Sequence, residues 1–240
     1  MLVSAWRHRC SIVRCSSLWT ASGLHYDFRG AVGLPLVVMV HGIPGSTRDF
    51  RHLICAMTTR KLRFLTVDLP GHGKSPMFAD NREPTTHRMA QSLWSVVDEV
   101  ESNDAVVLLG HSVGGHVVLE AARQRPERSL GVALLAPVNV RPHRALGNQF
   151  GFHNVLRPLG RMLQHPAWRT PLGAFSEFVL KRILGFPRSV TREEVMHTQR
   201  QVSLIDFSRA AQNVEKLHCP VFHAFAVDDA LIQPARAEEM

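Results

Sequence analysis

Ala105-Val106-Val107-Leu108-Leu109-Gly110-His111-Ser112-Val113-Gly114-Gly115 is the stretch that decides the fold. Its first five residues are wholly apolar and end at Gly110, as a strand buried on both faces would. From Val113 to Arg125 the pattern is helical, and Pro126 ends it. Between them Gly110 to Gly114 spells G-x-S-x-G. A turn this sharp strains the backbone at the serine, and small neighbours let strand and helix approach closely. The hydroxyl of Ser112 is then exposed at the top of a sheet. The N–H of Val113 opens a helix, where backbone donors have no intrahelical partner. A serine in an ordinary glycine-rich turn is the plainer alternative.

Working outward, the same rhythm recurs. Leu36–Val40, Phe64–Val67, Gly131–Leu135 and Val221–Val227 are further short apolar runs bounded by Gly, Pro or Asp. Met89, Leu93, Val96, Val97 and Val100 fall on one face of a helix. Strand alternating with helix predicts a mostly parallel, doubly wound α/β sheet, with its chemistry at the carboxyl ends of the strands. Residues 138–213 break the rhythm with five prolines and short helical patterns. Phe175, Phe178, Val179, Ile183 and Leu184 form an apolar stripe there, and an inserted helical cap is expected.

Together these motifs resemble the α/β-hydrolase superfamily over about residues 27–235. His41-Gly42-Ile43-Pro44-Gly45-Ser46 is similar to the family's oxyanion loop, which implies that the backbone N–H of Ile43 joins that of Val113 as an oxyanion donor. Asp68-Leu69-Pro70-Gly71-His72-Gly73-Lys74-Ser75 resembles the loop after the fourth strand, with Asp68 as a brace. Ala226-Val227-Asp228-Asp229-Ala230-Leu231-Ile232 resembles the acid loop, where Asp229 fits the family spacing better than Asp228. The resemblance implies a serine hydrolase that forms an acyl-enzyme on Ser112 from an ester, thioester or amide. It also implies that His41, His72 and His111 shape loops and transfer no proton in the reaction.

The family order is Ser, then Asp or Glu, then His, and the residues after Asp229 contain no His. A fragment or short isoform is therefore expected, with the last strand and its His loop absent. Val221–Val227 then becomes a sheet edge with unpaired backbone groups. An inactive member acting as a binding protein is the alternative. His223, inside that run, reads as a core histidine, not a base.

Composition narrows the partners. The chain has 240 residues, 28 Lys plus Arg against 20 Asp plus Glu, and a net charge of +8. The excess is local: residues 1–26 carry three Arg and no acid, and residues 138–213 carry 11 basic residues against four acidic ones. Residues 27–137 and 214–240, the expected halves of the core, hold +1 and −3. No basic run with interleaved aromatics suggests nucleic-acid binding. No uninterrupted apolar stretch reaches the ~18 residues of a membrane helix. The basic cap favours a small amphiphilic acyl substrate with an acidic part, and a weak contact with a membrane surface through Arg141–Arg200.

The Arg- and Ser-rich start reads as a mitochondrial presequence or a disordered leader, the latter leaving the protein cytoplasmic. Cys10, Cys15, Cys55 and Cys219 show no metal-ligand spacing and read as free thiols or core fillers. Gly73-Lys74-Ser75 resembles the end of a phosphate-binding loop, but Asp68 stands where that motif needs Gly. No cofactor and no metal are expected.

Overall fold

The side chains of Leu36–Val40 alternate between two apolar clusters, which is why the run contains no polar residue. Leu36, Val38 and Val40 face one cluster, and Val37 and Met39 face the other. The computed structural model describes residues 16–57, 59–78, 83–138, 140–141, 151–162, 165–183 and 190–226.

The described strands are β1 (Ser16–Trp19), β2 (His25–Arg29), β3 (Leu36–Val40), β4 (Arg63–Val67), β5 (Val106–His111), β6 (Ser129–Leu135) and β7 (Val221–Ala224). They form one sheet in the order β1-β2-β4-β3-β5-β6-β7. From β4 to β7 the pairing is parallel, while β1 and β2 add antiparallel at one side. The mostly parallel α/β sheet expected from the alternating pattern is therefore present.

The described helices are α1 (Arg51–Ala56), α2 (Thr86–Val100), α3 (Val113–Gln124), α4 (Arg157–Met162), α5 (Pro166–Phe178), α6 (Arg192–Ser203) and α7 (Phe207–Glu215). The Thr85 hydroxyl caps α2 by accepting from Arg88 N–H. Met89, Leu93, Val96 and Val97 then bury against the sheet beside Val117 and Val118 of α3. Phe50 and Ile54 close the opposite face over Val37, Met39 and Phe64. At ~25 cal/mol per Å², burial on both faces dominates the stability of such a sheet.

Several boundaries differ from the sequence expectation. The sheet begins at Ser16, inside the segment read as a leader ending at residue 26. β1 is exposed along its whole length, so it lacks the apolar run that marks a buried strand. The remainder of the leader, residues 1–15, lies outside the described residues, as do Val227 and Leu184. α7 runs past residue 213, where the cap was expected to end, and packs on α3 of the core layer. Cys55 is disulfide-bonded, not free. Spacing along the chain does not reveal a pair that folding brings together. Among the described residues β7 is an outer strand, with Val221 and Phe222 exposed. No helix among them is long and apolar enough to cross a membrane.

Candidate active site

Ser112 sits between β5 and α3 at φ 53° and ψ −123°, one of two non-glycine residues with positive φ among the described residues. Strain of this kind costs about 1–3 kcal/mol and persists only where surroundings enforce it. Here they do. Ser112 N–H donates to Leu135 O at 3.1 Å, and its carbonyl accepts from Gly115 N–H at 2.9 Å and Val138 N–H at 3.1 Å. The ends of β6 and of the following loop therefore hold the turn. Ser112 itself is half-buried.

Parallel pairing places Val40 beside Gly110, so the loop after β3 continues beside the serine. A Cβ on Gly42 would stand 2.9 Å from Ser112 Cβ, and one on Gly114 would stand 2.5 Å from His41 O. Only glycine lets these backbones come so close. Ile43 follows Gly42 in this loop, and Val113 opens α3 directly after the serine.

Asp68 is buried and binds three segments. It accepts from Thr47 N–H at 2.6 Å, Lys74 N–H at 2.9 Å and His25 Nδ1–H at 2.6 Å. A Cβ on Gly73 would meet its carboxylate, so the loop resembling a phosphate-binding turn closes on its own aspartate. His41 is fully buried, donating from Nδ1 to Gly42 O at 2.6 Å and accepting at Nε2 from Leu69 N–H at 3.1 Å. Both nitrogens are committed to backbone, so His41 shapes the loop. Burial pushes its pKa down, only partly opposed by Gly42 O and Asp68.

A row of buried imidazoles has no signal in the sequence. The rings of His41 and His72 lie 5.3 Å apart, and those of His72 and His197 5.0 Å apart. His72 Nε2–H donates to Gln201 Oε1 at 2.7 Å, and His197 Nε2–H donates to Pro70 O at 3.1 Å. Thus α6 docks on the loop after β4 through buried imidazoles, and His72 carries the contact on to His41. Burial and the neighbouring rings hold His72 well below an ordinary histidine pKa; burial and Arg200 lower that of His197. These contacts span 127 and 129 positions, and no local signal announces them.

Glu120 of α3 was also missed. It is fully buried, and burial alone would raise its pKa. Hydrogen bonds from Arg209, His87 and Asn213 outweigh that and hold it at about 2. The cluster ties α2, α3 and α7 together. A cavity of about 480 Å³ opens beside it, between Thr86, His87, Arg157, Arg161 and Arg209, away from Ser112. His223 is half-buried, with burial lowering its pKa and no hydrogen-bond partner for Nε2 among the described residues. Asp229 lies outside the described residues. Among those described, no three His, Cys, Asp or Glu side chains are placed to hold a metal ion.

A sequence model of the "Alpha/beta hydrolase family" matches residues 37–240. Mouse (Mus musculus) sn-1-specific diacylglycerol lipase ABHD11 is 36% identical over 121 residues, 49% of this chain and 38% of that protein. Epoxide hydrolase A of Mycobacterium tuberculosis is 31% identical over 127 residues, 51% of this chain and 39% of its own length. The chain thus spans well under half the length of either relative. An esterase from Exiguobacterium antarcticum superposes with a TM-score of 0.66 at 17% identity, covering 94% of this chain and 86% of that one. That likeness is one of fold.

Proposed function

This chain belongs to the alpha/beta hydrolase family, and from that premise we propose that it is the Ser112-bearing part of a serine hydrolase acting on a carboxylic ester, thioester or amide. The observation that carries the reading is Ser112 at φ 53° on the turn into α3, with the Gly42 backbone packed against it. Relatives in the family include a lipase and an epoxide hydrolase by name. The serine at the elbow favours acyl transfer over epoxide opening, which the family carries out with Asp at this position.

In this reading a general base takes the Ser112 hydroxyl proton while Oγ attacks the acyl carbonyl carbon. The oxyanion that forms accepts hydrogen bonds from Ile43 N–H and Val113 N–H. Removing one such donor typically lowers kcat by about 10²–10³. The carbon–heteroatom bond then breaks, the leaving group takes the proton, and water repeats the sequence on the acyl-serine. Asp229 is the proposed carboxylate that orients the base. His41 is not that base, because both its nitrogens are committed to backbone. An amphiphilic acyl substrate suits the cap, where Trp168, Phe175 and Phe178 of α5 are exposed beside basic residues.

Fluorophosphonate labelling of the folded chain, mapped by mass spectrometry, tests the reading. Label on Ser112 that disappears in Ser112→Ala supports it. A folded chain whose Ser112 takes no label would assign this site to binding instead of catalysis.

A further inference from the structure

A second serine has a base and an acid already arranged around it. Ser17 Oγ lies 2.6 Å from His25 Nε2, and His25 Nδ1 lies 2.6 Å from Asp68 Oδ2. Strand register produces this arrangement. Ser17 pairs with Asp27 and Trp19 with His25 across β1 and β2, so all four side chains share one face. Asp68 follows β4 directly, and its N–H bonds to His25 O at 3.0 Å. His25 and Asp68 are both about 1% exposed, whereas Ser17 is exposed. The Trp19 ring packs edge-on against the imidazole at 5.0 Å.

The polarity is that of an activated hydroxyl. Asp68 accepts the Nδ1 proton, which leaves Nε2 as the acceptor facing Ser17. Lys74 Nζ donates to Ser17 Oγ at 3.0 Å, which favours loss of the hydroxyl proton, and lies 3.3 Å from His25 Nε2. Asp27 Oδ1, 3.6 Å from Nε2, adds a second carboxylate beside the imidazolium that would form. An anchor between a hairpin and a loop requires only the His25–Asp68 bond. It does not explain an exposed hydroxyl aligned on Nε2 with an ammonium against its oxygen.

We propose that Ser17 is a nucleophile, activated by His25 and Asp68, that is acylated by thioesters independently of Ser112. Ser17 Oγ bonds to the acyl carbon as its proton passes to His25 Nε2. The Lys74 ammonium faces the oxyanion. The C–S bond then breaks, the thiolate takes the proton from Nε2, and an ester on Ser17 and a free thiol result. A thioester fits because its thiolate leaves readily and because the site offers one cation where the Ser112 turn offers two backbone donors. Trp19, half exposed on the same strand face, provides an apolar surface for the acyl group.

The test treats the 240-residue chain and its Ser112→Ala variant with a small acetyl thioester and maps acetylation by mass spectrometry. The peptide Cys15–Arg29 reports Ser17 and the peptide Met89–Arg123 reports Ser112, so the two sites are read separately. Ser16 in the first peptide is an internal control, because it is exposed on the opposite strand face. The expected result is acetylation of Ser17 in both proteins at a rate at least about 10²-fold above Ser16, the scale of general-base assistance. It disappears in Ser17→Ala, and in folded His25→Gln it falls to the Ser16 rate. Lys74→Ala, a surface change, slows it and keeps the test open if His25→Gln does not fold. Modification of Ser17 no faster than Ser16, or a rate unchanged in Lys74→Ala, overturns the proposal. An unlabelled Ser112 leaves that outcome unaffected.

Discussion

His72 and Gln201 meet through a 2.7 Å hydrogen bond between the loop after β4 and helix α6, 129 residues apart. Both side chains are buried. Gln201→Leu removes the acceptor and leaves the imidazole N–H without a partner, which costs about 1–3 kcal/mol for a buried group. Chemical denaturation should show that loss. Hydrogen exchange should show faster opening of α6 than of α3. Unchanged protection of α6 would mean that this bond does not hold the helix.

The same seam sets a pH dependence. His41, His72 and His197 all have folded-state pKa values below the ordinary 6.5 because burial disfavours their charged forms. Below about pH 6.5 the unfolded chain takes up protons that the folded chain does not. Stability from these groups is therefore complete above that pH and declines as pH falls towards the folded values. Each imidazole contributes a slope of up to about 1.4 kcal/mol per pH unit in that window. Denaturation midpoints measured between pH 7.5 and 5 should fall, and the fall should be shallower in His72→Gln.

Glu120 behaves in the opposite chemical sense. Its folded pKa of about 2 lies below the ordinary 4.5, so its stabilisation is present above pH 4.5 and is lost as pH falls through 2. Glu120→Ala removes a buried acceptor and leaves Arg209 and Asn213 facing a void. Arg209 is 37% exposed and can be hydrated, so the loss falls below the about 3–5 kcal/mol of a fully buried pair. Glu120→Gln, which keeps the shape, should cost less. Thermal unfolding of the two variants checks the order.

Gly114 offers a test of the turn that carries Ser112. Any side chain there strikes the backbone at the end of β3. Gly114→Val should either prevent folding or push the loop of Ile43 away, abolishing fluorophosphonate labelling of Ser112. Labelling at the original rate would show that the close approach of β3 and α3 is dispensable.

Helix α5 carries a further expectation about surfaces. Trp168, Phe175 and Phe178 are 50%, 61% and 57% exposed on α5. Five basic residues and one acidic residue lie between 151 and 183. Vesicles rich in phosphatidylglycerol should bind the chain at low salt, and Phe175→Asp with Phe178→Asp should release it. Binding that survives both substitutions would remove α5 as the contact.

Residues 36–40 and 105–109 announced their strands because both sheet faces are covered there, which keeps polar residues out of the run. The turn at Ser112 was legible for a similar reason, since close approach of β3, β5 and α3 admits only Gly at 42, 110 and 114. β1 was not legible: it is exposed along its whole length, so Ser16 to Trp19 forms no buried apolar run, and only register with β2 gives it a partner. Asp229, read from its loop motif, lies outside the described residues.

By itself, then, the sequence determined the alternation of strand and helix and the identity of the elbow serine. Both follow from local constraints of burial period and backbone sterics. Only the tertiary structure decided that His72 meets Gln201, that Glu120 is fully buried and still ionised, and that Ser17, His25 and Asp68 line up. Those depend on contacts between residues 8 to 129 positions apart, where chain spacing carries no information about distance in space.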